Sequence, residues 1–214
     1  MMQKQNTFVI AIGRQFGCGG REIGKAVAQL LNIAYYDKEL LSEASKSSGV
    51  NQDFFEAADE RSPNFFATMF PFHLGYSAGA YLMPDTPLSD DSMYCAQSRV
   101  IAQLAKRESC VIVGRTADYI LRNQCRVLSV FLHASLSDRV TRIIARGDAS
   151  TPKEAQEMAE KYNKLRAEYY NFYTDKKWGN AESYDLAINT STLGIDATAQ
   201  LIAHYAQQIL QQER

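Results

Sequence analysis

A run of strand-forming apolar residues, Val9-Ile10-Ala11-Ile12, enters a turn holding Gly13, Gly17, Gly19 and Gly20, and a helical pattern leaves it from Arg21. A strand, a glycine-rich turn and a helix in that order bring backbone N–H groups and a helix N-terminus to one point, where an anion such as phosphate is held. The common form of such a loop reads G-x-x-x-x-G-K-[ST]. Aligned with Gly19 as the last glycine, this chain has Gly20 at the lysine position, Arg21 at the hydroxyl position and Arg14 at the first glycine. Gly17, Gly19 and Gly20 permit left-handed backbone. The N–H groups of residues 17–22, including Cys18 and Glu22, can surround a phosphate. The same residues also make sense as a tight turn with no ligand.

The rest of the chain reads as one α/β domain. Residues 8–12 form a nearly all-apolar run, as in a strand buried on both faces of a parallel sheet. Ile23, Val27, Leu30 and Leu31 recur at helical spacing up to Asn32. A second strand is expected at 33–36 with Asp37 at its end, then a helix at 38–45. Further helices are expected at 93–106, 117–122, 136–146, 151–173 and 196–210, and strands at 109–113, 127–132 and 184–189. Thr151, Pro152 and Glu154 make a helix start: a cap, a proline at the first position and an acid in the first turn. This alternation predicts a parallel sheet with right-handed crossovers. Residues 49–92 differ, being rich in Phe, Gly, Ser and Pro, and read as an insertion of short helices and loops.

At 214 residues, 46% hydrophobic and 22% charged, the composition is that of an ordinary soluble protein. A formal net charge of -1 gives no reason to expect a nucleic-acid partner. No signal-peptide pattern opens the chain, and no apolar run approaches the roughly 20 residues of a membrane helix. A cytoplasmic protein with no membrane partner is expected. The four cysteines, Cys18, Cys95, Cys110 and Cys125, form no C-x-x-C pair, so no metal ligands are assigned. Cys18 lies at a helix N-terminus, a position that lowers a thiol's pKa and would ease its oxidation, but the preferred reading is a small residue in a tight loop. His73, His133 and His204 belong to no recognisable nucleophile–base set.

Phosphoryl transfer requires cations around the migrating group. Arg21 is placed to bind phosphate bidentately, and Arg14, on the rising side of the loop, is a second source. Lys25 stands a helical turn further on, too far along to join them. Neither Ser nor Thr occupies the usual magnesium position, leaving Glu22 and Asp37 as carboxylates near strand ends. Gly114-Arg115 ends a buried strand, at the sheet edge where ligands of open α/β folds bind. The alternative for Arg115 is a surface pair with Asp118. Arg139, Arg142 and Arg146 share a helix face. With Lys161, Lys164 and Arg166 on the next helix, they suit either a hinged lid over phosphates or a solvated charged face.

Several stretches together resemble the cytidylate kinase-like family, a branch of the nucleoside monophosphate kinases. They are the loop Ile12-Gly13-Arg14-Gln15-Phe16-Gly17-Cys18-Gly19-Gly20-Arg21-Glu22-Ile23, Tyr36-Asp37-Lys38-Glu39-Leu40-Leu41, and Val111-Ile112-Val113-Gly114-Arg115 with Ala117-Asp118-Tyr119. Near the C-terminus they are Arg166-Ala167-Glu168-Tyr169-Tyr170, Lys177-Trp178-Gly179 and Tyr184-Asp185-Leu186-Ala187-Ile188-Asn189-Thr190. The resemblance implies a P-loop NTPase-like three-layer α/β/α fold, with a helical monophosphate-binding insertion at about 49–92 and a helical lid at about 139–166, all in one domain. It implies transfer of the γ-phosphoryl of ATP to CMP or dCMP, with Mg2+. It assigns Arg14, Gly17, Cys18, Gly19, Gly20, Arg21 and Glu22 to the triphosphate, and Asp37, Lys38, Arg115 and Asp118 to the acceptor. Arg21, Arg142, Arg146 and Arg166 take the catalytic charge-neutralising role. The chain departs from the family pattern at the loop lysine and hydroxyl, at Val113 where an aspartate is usual, and at Asn163 where an acid is expected. A nucleotide-binding module without catalysis, or a kinase for another small acceptor, fits the same residues.

Overall fold

The computed structural model describes residues 7–37 and 90–211. Five strands make one parallel sheet: β1 (Phe8–Arg14), β2 (Ala34–Tyr36), β3 (Cys110–Val113), β4 (Arg126–His133) and β5 (Leu186–Asn189), in the order β2-β3-β1-β4-β5. β1 lies centrally. It pairs with β3 from Val9 opposite Cys110 to Ile12 opposite Val113, and with β4 from Phe8 opposite Arg126 to Arg14 opposite Leu132. The helices are α1 (Gly20–Leu31), α2 (Asp90–Arg107), α3 (Ala117–Leu121), α4 (Leu136–Ala145), α5 (Pro152–Tyr173) and α6 (Thr190–Gln211).

Alternation along β1 divides the core in two. Ile10 and Ile12 face α1 and α6, packing with Ile23, Val27, Ala199 and Ile202. Val9 and Ala11 face the other way onto α2 and α3, against Ile101, Leu104, Ala117 and Leu121. Apolar side chains on both faces explain the all-apolar strand runs, and the result is a three-layer α/β/α arrangement. A third, smaller cluster joins α4 to α5 through Ile143, Ala149, Ala155 and Ala159, with Phe16 of the glycine loop packed against it.

Most boundaries shift by one to three residues from the sequence expectation, and two of the shifts have a visible local reason. β5 begins at Leu186 rather than at 184, because the Asp185 carboxylate accepts from the Ser129 N–H and hydroxyl, both at 2.7 Å. The side chain takes a bond that a ladder would have given to backbone. The last helix begins at Thr190, but Gly194 (φ 76°, ψ 179°) breaks its path, so the long regular part starts where the apolar periodicity suggested. Helix α5 starts as expected. The Thr151 hydroxyl accepts from the Glu154 N–H at 3.2 Å, and the Glu154 carboxylate accepts from the Ser150 N–H at 2.9 Å. The expected helix at 38–45 and nearly all of the 49–92 insertion lie outside the described residues. Among the described residues no helix is long and apolar enough to cross a membrane.

The start of α6 is also a clamp on the glycine loop. Thr190 is fully buried, and its hydroxyl donates to the Cys18 carbonyl at 2.9 Å. Thr190→Val keeps the shape and deletes the donor, so stability falls by about 1–3 kcal/mol. Equilibrium urea unfolding measures this; an unchanged midpoint contradicts the clamp.

Candidate functional site

The site lies at the C-terminal edge of the sheet, where β1 turns into α1. Five hydrogen bonds fix the loop. The Gln15 N–H donates to the Leu132 carbonyl at 2.9 Å, and Gln15 Oε1 accepts from the Ala134 N–H at 3.2 Å. The Phe16 N–H donates to Asn163 Oδ1 at 2.8 Å. Thr190 holds Cys18, and Arg166 Nη1 donates to the Arg14 carbonyl at 3.0 Å. Asn163, where an acid was expected, is thus an uncharged acceptor that ties the loop to α5. Its role was not visible in the sequence, since its partner lies 147 positions away.

Within this frame Gly17 and Gly19 adopt left-handed φ values of 80° and 85°. A Cβ at Gly17 would stand 2.9 Å from the Arg139 carbonyl, and one at Gly19 would collide with Ile195. Gly19 caps α1, and no side chain bonds to the helix start. The first-turn N–H groups therefore face the loop's concave side.

The turn after β3 is the other half of the site. Gly114, Arg115 and Thr116 are all left-handed, with φ values of 87°, 60° and 50°. Two such non-glycine residues in a row, one of them β-branched, are conformationally costly, on the order of 1 kcal/mol or more each. The strain is held by the Gly114 N–H donating to the Ile12 carbonyl at 3.0 Å and by a 3.2 Å bond between the Thr116 and Tyr94 hydroxyls. The conformation brings the Arg115 backbone round to the face where the glycine loop ends. Only Gly114 signalled it in the sequence.

Between these two turns is a pocket of about 1040 Å³. Its lining includes Arg14, residues 17–22 of the loop, Lys25, Arg115, Asp118, Arg146, Lys161 and Arg166. Arg14, Arg21, Arg115, Arg146 and Arg166 are thus gathered from β1, α1, the β3–α3 turn and the α4–α5 hairpin. Lys25 joins them: the helix start is sunk deeply enough that one further turn still borders the pocket. Arg142 and Asp37 are not part of this lining, and Lys38 lies outside the described residues.

The electrostatics follow from crowding. Burial and the nearby Arg115 and Arg21 guanidinium groups lower the Arg14 pKa to about 10. Burial, then Arg14, Arg21 and Arg146, push Arg166 well below its ordinary value. Both side chains are half-buried cations facing cations. Phe16 gives the pocket an aromatic floor: its ring stacks on Tyr162 at 4.7 Å, with the guanidinium groups of Arg146 and Arg166 at 5.3 and 5.4 Å.

The basic face expected on α4 is divided. Arg139 is buried, and its Nε donates to the Ala134 carbonyl at 3.2 Å, a structural role. Arg146 turns to the pocket rim and pairs with Asp148 at 2.7 Å. On α5, Lys164 is solvent-exposed beside Glu168, and Arg166 turns inward.

Asp118 does not pair with Arg115. Its carboxylate accepts from the Tyr170 hydroxyl at 2.7 Å and lies 3.8 Å from Lys176. Burial raises its pKa, and these two partners oppose the rise. Arg115 lies beside Tyr169 instead, whose phenol burial pushes up to about 12. Tyr169 and Tyr170 line the pocket beside Asp118 and Arg115. The sequence concealed them, because tyrosines on a helix read as core.

Magnesium has little protein to bind. Among the described residues no three His, Cys, Asp or Glu side chains converge. Glu22 lines the pocket, but Arg21 replaces the hydroxyl and Val113 the carboxylate of the usual site. Among the described residues the donor set does not build a magnesium centre, whereas the glycine turn and its cations suit a polyphosphate.

Residues 9–192 match the cytidylate kinase-like family. The chain belongs to that family. A cytidylate kinase from Methanosphaera stadtmanae is 30% identical over 114 residues, covering 53% of this chain and 64% of that relative, so the match spans less than two thirds of the relative's length. A solved structure of an uncharacterized protein from Eubacterium ventriosum superposes with a TM-score of 0.68 at 28% identity, over 93% of this chain and 98% of that one. Two more distant structures share the P-loop kinase fold. One is a gluconokinase from Sinorhizobium meliloti (TM-score 0.52, 15% identity, 99% and 100% covered). The other is a shikimate kinase from Acinetobacter baumannii in complex with shikimate (TM-score 0.51, 14% identity, 98% and 96% covered).

Of the two readings of Cys18, the structure favours the small residue in a tight loop. Despite its helix N-terminus, Cys18 is a suppressed nucleophile: burial raises its pKa more than the nearby arginines lower it. A raised pKa means less thiolate at a given pH. In the folded protein at pH 8, iodoacetamide modifies the exposed Cys95 and leaves Cys18 intact, as read by peptide mass spectrometry. Labelling of Cys18 as fast as Cys95 contradicts this assignment.

Proposed function

We propose that the chain is a nucleotide kinase that transfers the γ-phosphoryl of ATP to CMP or dCMP. The observation that carries this reading is the convergence of five arginines from four parts of the fold on one glycine-lined pocket at the sheet edge. An ordinary metabolite carries too little negative charge to use such a set, whereas a triphosphate with a phosphorylated acceptor suits it. The acceptor's phosphate oxygen is already anionic, so no general base is required. Catalysis then consists of positioning and charge neutralisation.

In this reading the loop N–H groups, Arg14 and Arg21 take the triphosphate. Arg115 takes the acceptor phosphate, with Asp118 and Tyr170 shaping that wall. The α4–α5 hairpin acts as a lid that carries Arg146 and Arg166 over the phosphates and excludes water. The place of Arg142 beside Arg146 on α4 makes it a further lid cation. Asp37, at the end of β2, is assigned to the acceptor, and the sequence assigns its neighbour Lys38 with it. Magnesium arrives with the nucleotide, bound by phosphate oxygens and retained water. The cytidine preference rests on the family and on the partial match to a cytidylate kinase.

A second reading has its own observation. Gly20 and Arg21 replace the lysine and hydroxyl, and among the described residues no carboxylate cluster replaces the metal site. That combination suits a nucleotide-binding module with little or no turnover. A coupled assay with ATP, magnesium and a panel of ribo- and deoxyribonucleoside monophosphates separates the two. The kinase reading expects turnover, highest with a cytidine nucleotide; ATP binding without turnover on any acceptor selects the module. In the active enzyme Arg21→Ala lowers kcat by roughly 10²–10³-fold, the scale of losing one transition-state donor, and weakens ATP binding far less. Equal losses in both would make Arg21 a ground-state binding residue only.

A further inference from the structure

The two departures in the glycine loop form a single device. In the common loop, a glycine ends the strand and a lysine opens the helix. Here the strand ends in Arg14 and the helix opens with Gly20, so cation and glycine have changed places. The structure gives the physical link. Alternation along β1 puts Arg14 on the face of Ile10 and Ile12, which α1 covers. Its aliphatic stem passes directly under the helix start. A Cβ at Gly20 would stand 2.9 Å from Arg14 Cγ and 3.1 Å from Arg14 Cβ. The guanidinium then crosses to β3, where a Cβ at Gly114 would collide with Arg14 Nη1 and stand 3.0 Å from Cζ. A side chain at position 20 therefore needs the Arg14 stem to shift, which links that glycine to the arginine; Gly114 is already set by its φ of 87° and also leaves room for the flexible guanidinium end.

The occupied space is also where the charge is needed. The Arg14 guanidinium borders the pocket with the loop glycines on one side and Arg115 on the other. Among the described residues no carboxylate bonds to it. An arginine held half-buried against like charges, with its carbonyl fixed by Arg166, is poised for an anion.

We propose that Arg14 is the phosphate-binding cation that replaces the loop lysine, and that Gly20 is glycine to make room for its stem. The proposal rests on the nucleotide reading above for its ligand, the terminal phosphates of a nucleoside triphosphate.

The test measures binding of inorganic tripolyphosphate and of ATP with magnesium by calorimetry, alongside turnover, for the full chain. Arg14→Met keeps the stem over Gly20 and removes the charge; thermal melting verifies its fold. It is expected to weaken both ligands by about tenfold to a hundredfold, the range for a lost bond to a charged group. Arg14→Lys is expected to recover part of that loss. The exchange variant Arg14→Gly with Gly20→Lys, which moves the cation back to the helix start, is expected to bind better than Gly20→Lys alone. Wild-type affinity in folded Arg14→Met overturns the proposal, as does an exchange variant that folds and binds no better than Gly20→Lys. If the wild type binds tripolyphosphate and Arg14→Met does not, the proposal stands even where no monophosphate is turned over, and only the kinase reading fails. Turnover by Arg14→Met with unchanged ATP affinity leaves the kinase reading intact and removes Arg14 from it. A wild type that binds neither ligand overturns both.

Discussion

The packing of one arginine between two glycines organises this site. The Arg14 stem lies against Gly20, and its guanidinium lies against Gly114, so β1, α1 and the β3–α3 turn are spaced by a single side chain. Everything else in the loop is consistent with that wedge. Gln15, Phe16 and Cys18 are each bonded outward, to β4, α5 and α6. The loop backbone is thereby held open on its inner side, where the helix start and the arginines meet. The cations repel one another, and the fold confines them nonetheless. Such an arrangement stores an electrostatic debt that a polyphosphate relieves, which connects packing to binding.

The strained turn at Arg115 and Thr116 belongs to the same design. Consecutive left-handed residues persist only where surrounding contacts impose them. Here the contacts come from both directions, the Ile12 carbonyl on β1 and the Tyr94 hydroxyl on α2. The turn keeps Arg115 off Asp118 and beside Tyr169, leaving Asp118 to Tyr170 and Lys176. The pocket thus has two chemically different parts: glycines and guanidinium groups in one, a buried carboxylate with tyrosines in the other.

Much of the fold was legible because a doubly covered parallel strand needs apolar residues on both faces, which β1 and β3 display. Helices α1 and α5 were marked by periodicity and, for α5, by its capping residues. The misplaced edge of β5 came from a side-chain bond, Asp185 to Ser129, that no periodicity reports. At the site, the loop and Gly114-Arg115 were legible from glycine placement. The relation between Arg14 and Gly20 was not, since the two departures look independent until the strand and helix are stacked. Helical spacing alone also failed on α4: Arg139 and Arg146 share a face in projection, but the first is consumed by the Ala134 carbonyl and the second reaches the pocket. At Cys18 burial outweighs the local positive potential, in keeping with a small residue in a tight loop.

The most direct measurement is a crystal structure with magnesium and a non-hydrolysable ATP analogue. The account predicts the triphosphate seated on the N–H groups of residues 17–22, with the Arg14 guanidinium about 2.7–3.2 Å from a β- or γ-phosphate oxygen. A triphosphate bound elsewhere, or bound in the loop with Arg14 turned away from every phosphate oxygen, would contradict it.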